Sequence, residues 1–124
     1  MIRPLNKNDR IYLASPYTSD VELEELRYRQ AREATAILLK AGYICFSPIV
    51  HSHPIAVEYK MVEHRDLWMR QCKTYIRYWA TAGIVLKLPG WKYSTGIEEE
   101  LDLMFSAGTF VYYHTLDELS QLIK

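Results

Sequence analysis

A chain of 124 residues with 15 basic and 15 acidic side chains is neutral overall and sized for one domain over 1–124. That balance excludes a general polyanion binder, so nucleic acid is not an expected partner, although a small anionic ligand held by local groups is still open. No run approaches the roughly 18 apolar residues of a membrane span, and "MIRPLNKNDR" lacks a signal-like apolar segment. The expected setting is therefore a reducing cytoplasm.

"RIYLAS", 10–15, is a short apolar run ended by Ser-Pro and reads as a buried strand. Ser19 with Glu22 forms an S-x-x-E capping box, and a helix is expected from there to Ala41, with Gly42 as its stop. Leu23, Leu26, Ala34, Ile37, Leu38 and Ala41 supply its expected buried face. "YICFS", 43–47, reads as the second strand, and 48–64 as irregular or a short helix. Residues 66–79 read as helical, and "AGIVLKL", 82–88, as the third strand, closed by Pro89-Gly90. Thr95 with Glu98 is a second capping box, opening a helix to about Ala107 with Gly108 as its stop. "TFVYY", 109–113, is the fourth strand, and Thr115 with Glu118 caps a short last helix.

Strands alternating with helices imply a parallel sheet covered on both faces. The expected fold is α/β, a Rossmann-like (flavodoxin-like) three-layer sandwich with a four- to five-stranded, mainly parallel sheet. In such folds ligands sit beyond the carboxyl ends of the strands, near the switch in strand order. "SPYTSD", "SPIVHSHPI" and "PGWKYSTG" occupy that edge, and each carries Ser, Tyr or His with Pro or Gly.

The last of these loops leads into Glu98, Glu99 and Glu100. Each helical residue turns by about 100°, and Ile97, Leu101, Met104 and Phe105 define the expected apolar stripe. Glu99 falls nearly opposite that stripe and is expected to face water, whereas Glu98 and Glu100 flank it. Glu98 has a duty in the Thr95 capping box; Glu100 has none. Gly96, one turn before Glu100, leaves room for a ligand to reach that carboxylate. The helix N-terminus favours its ionised form, the form a nucleophile needs. A solvated glutamate that merely stabilises the helix end is the plainer alternative.

"IYLASPY" at 11–17, "GYICFSPIVHSHPIA" at 42–56, Trp68-Met69 and "GWKYSTGIEEEL" at 90–101 together resemble the nucleoside 2-deoxyribosyltransferase superfamily, in a bacterial and phage branch of it. The resemblance implies an N-glycosidic enzyme acting on a 2-deoxynucleoside or its 5′-monophosphate, with transfer to another base or to water. It also implies a homo-oligomer and no cofactor. The family's pattern of Asp or Ser, any residue, Gly, three residues and Glu falls on Ser94, Gly96 and Glu100. Glu100 thereby takes the nucleophile's place, and Tyr12 that of the tyrosine bonded to it, with a core aromatic as the alternative for Tyr12. The implied reaction is a two-step retaining displacement, and no acid for the leaving base is evident.

Where the superfamily commonly has a substrate-contacting aspartate, this chain has Cys72, and Asp66 is the nearest substitute. His51 and His53 would share a face if extended, but a zinc site needs three or four ligands, so the expectation is no metal and one histidine lining the pocket. Ser15 is a candidate for holding a 5′-hydroxyl or phosphate, with turn chemistry as its alternative, and Tyr17 is similar. Ser94 is a candidate for sugar hydroxyls. Trp91 is a candidate for stacking on a base or covering the pocket, with a subunit contact as its alternative. The competing reading, from another class, is a non-catalytic nucleotide-binding or sensing module on the same fold.

Overall fold

The structure is a computed structural model and describes residues 3–123. Four strands, β1 (Arg10–Ala14), β2 (Ile44–Phe46), β3 (Ala82–Leu86) and β4 (Phe110–His114), form one sheet in the order β2-β1-β3-β4. Every pairing is parallel. The helices are α1 (Val21–Lys40), α2 (Pro48–Glu58), α3 (Arg65–Tyr78), α4 (Thr95–Ser106) and α5 (Leu116–Ser120). The chain is thus an α/β Rossmann-like three-layer sandwich, as the alternation of elements implied.

Strand alternation sorts β1 between two cores. Ile11 and Leu13 join Ala34 and Leu38 of α1 and Leu119 of α5 on one face. Tyr12 and Ala14 join Ile76 of α3 and Ile97 and Met104 of α4 on the other. β3 is buried along its whole length, as a central parallel strand should be. Gly83 pairs in register with Tyr12. A Cβ at Gly83 would lie 2.2 Å from Met104 Sδ, so the missing side chain is what lets α4 seat against the sheet.

Two helix starts differ from expectation by one residue. α1 is capped by Asp20, whose side chain accepts from Leu23 N–H at 2.9 Å, in place of Ser19 with Glu22. α4 is capped by Ser94, whose Oγ accepts from Ile97 N–H at 3.2 Å, in place of Thr95 with Glu98. In each case an equally good cap lay one position earlier or later and won. The third capping box, Thr115 with Glu118, forms in both directions. Gly42 and Gly108 follow α1 and α4 with φ of +89° and +74°, the left-handed stop expected of them.

Residues 48–58, read as irregular or a short helix, are fully helical. Ser47 caps the segment and Pro48 occupies its first turn, where a missing N–H costs nothing. Two expected core residues are exposed, Leu26 at 43% and Phe105 at 59%. Among the described residues no helix is long and apolar enough to cross a membrane.

Candidate functional site

The strand order reverses between β1 and β3, so the loops leaving their carboxyl ends diverge and open a crevice. Arg27 of α1 holds the two loops together. Its guanidinium donates to the carbonyls of Tyr17 at 3.4 Å and Thr18 at 3.3 Å on one side, and of Pro89 at 3.2 Å on the other. Gly90 serves that clamp twice over. Its φ is +87°, and a Cβ there would lie 3.0 Å from the Arg27 guanidinium. The opposite wall is fixed where Trp68 Nε1–H donates to Met61 carbonyl at 2.9 Å, tying α3 to the segment after α2.

Between these walls lies a cavity of about 510 Å³. Glu100, the sixth residue of α4, lines it and is only 6% exposed. The Tyr12 hydroxyl, fully buried beneath, donates to Glu100 Oε2. Burial pushes the Glu100 carboxyl up to about 7; the Tyr12 bond opposes this, and the Glu99 charge adds to it. Glu100 lies beyond the first turn of α4, where the field of the helix N-terminus has faded. Burial and then the Glu100 charge raise the Tyr12 phenol far above its ordinary value. Burial, with the Glu100 charge second, pushes the Cys72 thiol up to about 11.

The neighbouring glutamates separate cleanly. Glu98 is exposed and caps nothing. Glu99, expected in open water, is half-exposed and pairs with Arg65 of α3 at 2.7 Å. Only Glu100 turns inward, because Ile97 and Met104 are buried on either side of it along the same helical face.

Lining the same cavity as Glu100 are Ser15, Tyr17 and His53. Ser15 is 5% exposed, and its buried Oγ has no hydrogen-bond partner. A buried hydroxyl left so is costly, and at a cavity wall it is available to a ligand. His53 is 6% exposed and bonded at both ring nitrogens, Nδ1 to the Tyr17 hydroxyl at 2.6 Å and Nε2 to Glu25 Oε2 at 2.8 Å. Its ring stacks on Tyr28 with centroids 4.5 Å apart. Burial, then the Glu24 and Glu25 charges, push the Tyr17 phenol up to about 12.

Of the sequence candidates, the structure gathers Glu100, Tyr12, Ser15, Tyr17, His53, Ser94 and Gly96 around this cavity. It does not bring the other three there. His51 is exposed and faces Phe46, since residues two apart on a helix point about 200° apart; an extended His-Ser-His would have set both histidines side by side. Asp66 is exposed on the first turn of α3, and Cys72, not Asp66, faces Glu100. Trp91 packs on Tyr113 and the α3/α4 core, 5.7 Å between centroids, outside the cavity. Sequence reading missed Glu25, Tyr28 and Arg27, each of which acts through a partner at least nine positions away or across the fold. Among the described residues no three His, Cys, Asp or Glu side chains are grouped to hold a metal ion.

A second cleft of about 480 Å³ adjoins the first, sharing Thr18, Arg65, Ser94 and Gly96 with it. Arg27, the first turn of α4 and Arg65, whose charge is paired with Glu99, border it.

Fold and site together define a parallel α/β domain whose switch-point crevice encloses one buried carboxylate bonded to a tyrosine. The chain belongs to the family described as Domain of unknown function (DUF1937), whose profile matches residues 9–115, from β1 through β4. No curated protein matches the sequence.

Proposed function

We propose that the protein cleaves the N-glycosidic bond of a 2-deoxynucleoside or its 5′-monophosphate, as in the nucleoside 2-deoxyribosyltransferase superfamily that the sequence resembles. One observation carries the reading: a buried glutamate at the switch-point cavity, bonded to a strand-one tyrosine. In its ionised form Glu100 attacks the anomeric carbon C1′ as the base departs, forming a deoxyribosyl ester. A second base or water then takes the sugar from the ester. Tyr12 holds the attacking carboxylate in one rotamer and stabilises its charge.

The cavity suits such a substrate in size and lining. Ile49, Ala56, Val62, Trp68 and Met69 offer an apolar wall for a base. Ser15 and Ser94 offer hydroxyls to the sugar, and the adjoining cleft bordered by Arg27 and the first turn of α4 is the proposed place for a 5′-phosphate. The proposed setting is the reducing cytoplasm, which two free cysteines suit, and the proposed assembly is a homo-oligomer.

A second reading, a non-catalytic nucleotide-binding or sensing module, is favoured by one feature. Cys72 faces Glu100 as a neutral thiol in the place where the superfamily commonly has a charged aspartate. Incubation with a panel of deoxynucleosides and their monophosphates, with and without an acceptor base, separates the two by chromatography for free base. Release by the wild type and loss of release in Glu100→Gln supports the enzyme. Binding without release supports the module.

A further inference from the structure

We propose that Tyr17 is the proton donor to the departing base, recharged by His53 and held in place by Glu25. The proposal rests on the glycosidic reading above and fills the one role it leaves vacant.

The geometry is that of a short relay. Tyr17 and His53 both line the cavity that Glu100 lines. Glu25 Oε2, 2.8 Å from Nε2, fixes the proton on that nitrogen, because a carboxylate only accepts. Tyr28 stacked on the ring, with the Tyr17 ring edge-on at 5.5 Å, leaves the imidazole one orientation. A buried histidine bonded at both nitrogens and stacked on a third side chain is more firmly placed than a pocket wall requires. When the ring carries a proton on both nitrogens, its Nδ1–H donates to the Tyr17 oxygen at 2.6 Å. That frees the Tyr17 O–H to point into the cavity. Cys72 is the other protic group close by. It touches the Tyr12–Glu100 pair, on the nucleophile's side of the sugar, and a base leaving in line departs from the opposite face.

In the first step an oxygen of Glu100 bonds to C1′, and the C1′–N electron pair passes to the base. The Tyr17 O–H proton goes to a nitrogen of the base, and the Nδ1 proton of His53 goes to the Tyr17 oxygen. His53 is left neutral, with its Nε2–H still on Glu25. In the second step the attacking water or base N–H returns one proton through Tyr17 to Nδ1, while the Glu100–C1′ bond breaks. Atoms and charge balance over the cycle with no co-reactant.

The test compares two leaving groups: the natural deoxynucleoside or monophosphate that the wild type cleaves fastest, and the matching 4-nitrophenyl 2-deoxyriboside, whose nitrophenolate leaves without a proton. Tyr17→Phe is expected to lower kcat/KM at least about 100-fold on the natural substrate, in the range of general-acid catalysis, and less than about 3-fold on the nitrophenyl one. Glu25→Gln, a change at a half-exposed position, is expected to lose roughly 10-fold on the natural substrate alone. A structural role would depress both substrates together, so equal losses, or no loss, in the two variants overturn the relay. Glu100→Gln must abolish both reactions. If the wild type releases neither base nor nitrophenolate, the glycosidic reading fails, and the relay with it.

Discussion

The Tyr12 hydroxyl donates to Glu100 Oε2, joining the central strand to α4 across 88 positions of sequence. This bond works against burial. Burial raises the Glu100 carboxyl to about 7, and the tyrosine keeps it from rising further. The nucleophile's form is the ionised one, so base release should climb as pH rises through about 7. Removing the hydroxyl in Tyr12→Phe takes away the one group opposing the rise. The acid limb of the rate profile is then expected to move up by roughly one unit, one pKa unit being about 1.4 kcal/mol. At pH 7 the rate should fall several-fold. A profile shifted downward would contradict the assignment.

The same burial links Glu100 to stability. Its folded value, about 7, lies above the ordinary 4.5. Below about pH 4.5 the folded and unfolded chains both carry the proton, and stability does not depend on this group. Between about 4.5 and 7 the unfolded chain ionises first, and stability falls by up to about 3 kcal/mol before levelling off. Glu100→Gln keeps the shape and an acceptor for Tyr12 without the charge. It is expected to match the wild type at about pH 4.5 and exceed it by about 3 kcal/mol at pH 8, read from urea unfolding. Such a gain, with lost activity, is the usual signature of a strained functional site.

Gly96 separates space for a ligand from space the fold needs. A Cβ there meets nothing closer than Ser94 Oγ at 3.8 Å, and the position lies in the first turn of α4. Gly96→Ala should therefore hold or raise stability, by up to about 1 kcal/mol. The added methyl enters the cavity beside Glu100, and KM should rise several-fold. Thermal unfolding and initial rates read the two effects independently.

Local chemistry was legible wherever one signal stood alone. The alternation of strands and helices gave the parallel sheet, and Thr115 with Glu118 gave a capping box that forms in full. Where two caps competed, as Asp20 with Ser19 and Ser94 with Thr95, sequence could not rank near-equal acceptors. Glu100 was singled out partly on a premise that does not hold, because Glu98 has no capping duty. The periodicity that set Glu100 beside Ile97 and Met104 was sufficient without it.

The histidines show the complementary limit. Reading 48–64 without a firm helix left His51 and His53 equivalent, whereas α2 sends one outward and the other into the cavity. The partners of His53 lie 36 positions away at Tyr17 and 28 at Glu25, on elements whose packing no local pattern encodes. Spacing from Trp68-Met69 puts Cys72 in the place of the superfamily's substrate-contacting aspartate, and Cys72 lines the cavity.

Intact-protein mass spectrometry after incubation with a 2-deoxy-2-fluoro-arabinosyl nucleoside or its monophosphate tests the nucleophile most directly, because the fluorine destabilises the oxocarbenium-like transition state of breakdown and lets the sugar ester accumulate. One fluorosugar per chain, mapped by peptide fragmentation to Glu100 and absent from Glu100→Gln, is the predicted result. Free base appearing with no adduct, or an adduct on any other side chain, would contradict it.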